Sequence, residues 1–212
     1  VICPLSHLLE LVRFARADRR FAPGDPDWHA FLEIAGKLRS LPGASQDDPA
    51  DTLASAALDA ALELIGQGEE GGNNQGAFVA MLLEPAKPPA NWCAAFAGFC
   101  YQRAAARLGI ALPFRRSLGA KRLGKNVGAV GRIFTDPALA RPGDLMVFDR
   151  GTKGSWMGHV AMVERACDHD EHGGHAWVDV IEGNSGPRVR RSTRYPTSAA
   201  ERFAFFASLR RG

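Results

Sequence analysis

Helical periodicity gives way to strand alternation near Arg141, and that one change limits the folds open to this chain. Before it, TLASAALDAALELIG and NWCAAFAGFCYQRAAARLG place small and apolar residues at helical spacing, and AFVAMLLEPA reads as a short helix. After it, DLMVFD, GHVAMVE, AWVDVIEGN, PRVRRSTRY and RFAFFASL read as five strands between turn signals. DLMVFD is apolar on both faces, so it belongs in the middle of a sheet. Helices first and strands second, with short connections, predict an α+β domain with an antiparallel sheet. The stretch between, FRRSLGAKRLGKNVGAVGRIF, has several glycines and no firm period, and predicts a long loop with short elements.

Upstream, Leu5, Leu8, Leu9 and Val12 mark an amphipathic helix, and WHAFLEIAGKLRSL a second after the turn FAPGDPDW. The turn-rich LPGASQDDPAD is the candidate boundary, giving a helical hairpin extension over 1–45 and a main domain over 46–212. His7 and His29 stand alone there and carry no chemistry. At 212 residues the chain suits this division and can bury a proper core. No apolar run is long enough to span a membrane, and His7, Glu10 and Arg13 interrupt the first apolar stretch, a poor signal peptide. The net charge is +3, and the basic runs Arg115–Lys125 and Arg188–Arg194 read as solvated faces, not as a nucleic-acid surface. GQGEEGGNNQG lacks the lysine and hydroxyl of a phosphate-binding loop, which excludes that mode of nucleotide binding.

The four cysteines, Cys3, Cys93, Cys100 and Cys167, are irregularly spaced and give no disulfide framework. Cys93 falls in the first turn of its helix, with Asn91 read as the N-cap and Gly109 as the stop. Unpaired N–H groups and the helix dipole at that end favour a thiolate, and supply donors for a developing oxyanion. Downstream, alternation puts His159 on a face with Ala161 and Val163, and Glu182 and Asn184 on a face with Val178 and Val180. If those apolar rows face the Cys93 helix, His159 and Glu182 face it as well. A nucleophilic cysteine needs such partners: an imidazole to move the proton and a polar group to fix its tautomer. Cys167, His169, His172 and His175 have the types of zinc ligands, but their spacing matches no structural zinc motif, so an ordinary polar hairpin loop and no metal is expected.

Taken together, NWCAAFAGFC, RPGDLMVFD, GHVAMVE and VIEGNSG, with GGNNQG upstream, resemble the CHAP amidohydrolases of the NlpC/P60-like group of papain-like peptidases. The resemblance covers roughly 51–212 and leaves the N-terminal hairpin out. It implies a papain-like fold, with the cysteine-bearing helix packed on an antiparallel sheet that carries the histidine. It implies cleavage of peptidoglycan amide bonds, by an endopeptidase or an N-acetylmuramoyl-L-alanine amidase, through a thioester and without a cofactor. By position, Cys93 is similar to the nucleophile, His159 to the general base, Glu182 to the residue that orients the imidazole, and Asn184 to a fourth polar member. Trp92 is a departure, since many relatives have a polar amide residue just before the cysteine. Substrate contacts are expected at Asn74, Trp92 and Trp156. The expected partners are peptidoglycan peptide stems, and an immunity or inhibitor protein if the chain is a secreted toxin. A monomer of bacterial or phage origin acting at the cell wall or periplasm is expected. The same triad would serve a peptidase or acyl transferase on a protein substrate, and the same fold a non-catalytic wall-binding module.

Overall fold

The computed structural model describes residues 48–152, 154–167, 176–200 and 202–211. The predicted hairpin at 1–45 lies outside them. So do His169, His172 and His175 of the histidine loop, and Cys167 is described only as the end of a strand. Helix α1, Pro49–Leu62, starts where Asp48 accepts from the Ala50 N–H at 2.9 Å, with proline in the first turn, where its missing N–H costs nothing. Helix α2 is Ala77–Leu83. Helix α3, Cys93–Leu108, buries Ala94, Ala97, Cys100, Tyr101 and Ala104 and packs against α1, whose buried residues include Ala57, Ala60 and Ala61. Alanine on both sides lets the two helices approach closely. Gly109 ends α3 in the left-handed region at φ 67°, where a side chain would be strained.

The chain then differs from its sequence reading. Ala120–Val130 forms a regular helix, α4, followed by a short strand β1, Arg132–Phe134. The glycines that suggested a loop are contact points. A Cβ at Gly124 would lie 2.7 Å from Val147 and 2.9 Å from Phe205, so the helix can lie on the sheet only without one.

The remaining strands are β2 (Leu145–Asp149), β3 (Gly158–Cys167), β4 (Trp177–Glu182), β5 (Arg190–Arg194) and β6 (Phe203–Ser208). They pair antiparallel throughout in the order β1-β6-β2-β3-β4-β5, so the doubly apolar β2 is interior, as predicted. Both faces are buried. Leu145, Val147, Val160, Met162, Ile181 and Ala207 join the helices in one core. Met146, Phe148, Ala161, Val163, Val178, Val180 and Phe206 form a second core on the other face. Each buried Val, Leu, Ile, Met or Phe side chain among them contributes about 1.5–3 kcal/mol of burial free energy.

This corrects the expected facing. The apolar rows that share parity with His159 and Glu182 belong to the second core, not to the face that α3 covers. His159 and Glu182 meet the cysteine at the end of the sheet, where β3 begins, β4 ends and α3 starts.

Candidate active site

Cys93 is the first residue of α3 and is 5 % exposed. The first intrahelical bond runs from the Phe96 N–H to the Trp92 carbonyl at 2.8 Å, so the Cys93 N–H has no intrahelical acceptor and is open to an incoming oxygen. The N-cap is Trp92, and no side chain caps the helix. Asn91 is exposed and does not have the capping role read from the sequence.

A clasp of side chains fixes that helix start instead. The Trp92 N–H donates to Asn184 Oδ1 at 3.0 Å, and the Trp92 indole N–H donates to Glu69 Oε1 at 2.9 Å. Asn184 donates through Nδ2 to Asn74 Oδ1 at 2.7 Å. Both asparagines sit at positive φ, 60° and 58°, which asparagine tolerates better than most residues. Gly183 completes the clasp, since a Cβ there would overlap the Trp92 indole. The glycine-rich loop, the EGN turn and the cysteine helix are thus tied together through Trp92. Trp92 is 0 % exposed, so the expected substrate contact there is corrected: its indole is core, edge-on to Phe78, and it positions the neighbouring cysteine. Asn74 and Asn184 share this positioning role through the bonds they make.

His159 is the second residue of β3, 6 % exposed, with its ring 5.8 Å from that of Phe148 opposite it in the ladder. Its Nε2 lies 2.8 Å from Glu182 Oε2. Nε2 is thus taken by the carboxylate, which leaves Nδ1 to face the Cys93 side chain, the other group that stabilises the charged ring. Burial favours the neutral imidazole. Hydrogen bonds to Cys93 and Glu182, with the charges on both, outweigh burial and raise His159 to about 9. Glu182 has no exposed surface. Burial pushes its carboxyl up, but hydrogen bonds from His159, Arg194 and Ser192 more than offset this and hold it at about 2. At neutral pH an imidazolium therefore lies between the sulfur and an ionised carboxylate. Cys100, further along α3, is fully buried, and desolvation pushes its thiol far above the ordinary range, which leaves it inert.

The sequence reading missed Arg194, Glu69 and Gly183. Arg194 donates through Nη2 to both Glu182 oxygens, at 2.6 and 2.7 Å. Its parity on β5 was visible, but the reach of its side chain from a position opposite Val178 to Glu182 was not. Trp156 stands in the loop before β3, 79 % exposed and three residues ahead of His159. Lys121 Nζ holds that loop by donating to the Ser155 carbonyl at 2.7 Å. Among the described residues no cluster of histidine, cysteine and carboxylate side chains is arranged to hold a metal ion, and no helix is long and apolar enough to cross a membrane.

Glu182→Gln tests the electrostatics directly. It removes the charge and keeps an acceptor, while the burial that disfavours the imidazolium stays. The His159 titration, followed by NMR of labelled imidazole, is expected to move down from about 9, by on the order of 1–3 units. An unmoved midpoint would show that Glu182 does not set the charge state of the ring.

A family model for the CHAP domain matches residues 86–184, a span that holds Cys93, His159, Glu182 and Asn184. Among solved structures the chain is similar to that described as "The crystal structure of Ly7917", at 19% identity and a TM-score of 0.44 over 73% of this chain. The match spans 61% of that protein's length. No curated protein matches the chain.

Proposed function

Since this chain is a CHAP-domain protein, and that family consists at a coarse level of peptidoglycan hydrolases and amidases, we propose that it is a cysteine-dependent amidohydrolase. Its substrate is an amide bond of peptidoglycan, either between sugar and peptide or within the peptide stems. The observation that carries the reading is the line Cys93, His159, Glu182 at the open N-terminus of α3.

The chemistry follows from that line. The Cys93 thiolate attacks the amide carbon, and the carbonyl electrons move onto oxygen, beside the Cys93 N–H. The imidazolium of His159 gives its Nδ1 proton to the amide nitrogen, the C–N bond breaks, and the amine leaves. The resulting thioester is attacked by water, whose proton passes to Nδ1. Collapse of the second intermediate expels the thiolate and releases the acid. Glu182 keeps the ring in one orientation and stabilises its charge throughout. The exposed Trp156 indole supplies an apolar platform for a sugar or stem beside the site. In this reading 46–212 is the catalytic domain, and the protein acts at a bacterial wall.

Mass analysis of fragments released from purified peptidoglycan tests the proposal. Free stem peptides would identify sugar–peptide cleavage, and muropeptides with shortened or separated stems would identify peptide–peptide cleavage. Sacculi left intact by folded protein would overturn it.

A further inference from the structure

Glu182 is fully buried, and one imidazole does not account for its ionised state. When Cys93 is ionised beside the His159 imidazolium, as the reaction requires, the three residues together carry a net charge of −1. A buried net charge of that kind needs a compensating cation held in good geometry. The groups facing Glu182 are His159 from β3 and Arg190, Ser192 and Arg194 from β5. Arg190 is a weak candidate. Its Nε stands 3.9 Å from Oε1, and its exposed side chain donates to Ser185 Oγ. Arg194 is held far more tightly. Its side chain is 15% exposed, and its Nη2 reaches both carboxylate oxygens and Ser185 Oγ, the last at 3.0 Å. Its guanidinium also lies 5.5 Å over the Phe148 ring, which packs on His159. In the ladder Arg194 stands opposite Val178 and Arg190 opposite Glu182, so Arg194 reaches along one face of the sheet to the carboxylate.

We propose that Arg194 is a positioning residue of this site, one that keeps Glu182 ionised and fixed against His159 Nε2, so that the working line is Cys93, His159, Glu182, Arg194. The proposal rests on the reading of Cys93 as the nucleophile and not on peptidoglycan as the substrate.

The test is alkylation of Cys93 by iodoacetamide across pH, read on the Cys93 peptide by mass, beside hydrolysis of sacculi. Without Arg194, Glu182 takes a proton sooner and the thiolate loses a nearby cation. Both changes disfavour the reactive pair at low pH. Arg194→Gln is therefore expected to move the acid limb of alkylation up by about one pH unit and to slow hydrolysis about 10–100-fold, with little change in the half-saturating substrate concentration. Arg194→Lys keeps the charge and is expected to bring the limb back toward wild type. In the Glu182→Gln background the two losses are not expected to multiply, because the path through the carboxylate is already gone. An unmoved limb in folded Arg194→Gln, or a double variant more than about tenfold slower than Glu182→Gln alone, would overturn the proposal. The double variant has no buried unpaired charge, so it carries the test if Arg194→Gln does not fold. A shifted alkylation limb without wall fragments would leave the role of Arg194 standing and remove the peptidoglycan reading.

Discussion

Cys93→Ala is expected to abolish clearing of purified sacculi, with a loss of about 10⁴-fold or more, and to leave the protein folded. The size of the loss follows from the chemistry, since no other group near the α3 N-terminus can form the thioester. Cys100 lies on the same helix, but burial holds its thiol protonated. The fold should survive because the change removes one sulfur atom from a helix that already favours alanine at positions 94, 95 and 97. The cavity left is small, worth about 1 kcal/mol, which for a domain of this size corresponds to roughly 2–4 °C in melting temperature. The measurement is turbidity loss of sacculi with melting followed in parallel. A folded Cys93→Ala protein that still clears sacculi would exclude the thioester mechanism, whereas folded wild type that binds sacculi without clearing them would leave a non-catalytic wall-binding module as the reading to pursue.

Much of this site was legible in local sequence. The helix that begins at Cys93, the strands that carry His159 and Glu182, and the EGN turn all depend on periodicity or turn chemistry within a few residues, and each formed where it was expected. What local pattern did not reveal was non-local. Gly124 signals a loop by composition, but it marks the place where α4 lies against Val147 and Phe205, two strands that pair with each other. Alternation gave the parity of His159 and Glu182 correctly, yet it did not say which face of the sheet α3 covers, because both faces are apolar. The basic run at the C-terminal end looked uniform, and three of its members, Arg188, Arg190 and Arg191, are indeed exposed. Arg194 departs from them because its side chain runs along the sheet face, away from its ladder partner Val178, to a buried carboxylate. Trp92 reads as a substrate contact beside the nucleophile, whereas its indole N–H finds Glu69 and its ring fills the space that Gly183 leaves open.

His159→Ala is expected to be nearly as severe as loss of the sulfur, on the order of 10³-fold or more, since thiolate formation and leaving-group protonation both pass through the ring. The variant also separates catalysis from stability. Removing the imidazole leaves Glu182 paired with Arg194 at 2.6 and 2.7 Å, so no buried charge is stranded. The expected fold loss is therefore that of a cavity beside Phe148, about 1–3 kcal/mol, and not the larger penalty of an unpaired buried ion. Alkylation of Cys93 at neutral pH should slow in parallel, because the thiolate loses the cation that stands beside it. Adding free imidazole should restore part of the lost hydrolysis if the cavity admits it, with no effect on Cys93→Ala. A folded His159→Ala protein that keeps more than about a tenth of wild-type hydrolysis would show that some other group moves the proton, and would take His159 out of the mechanism.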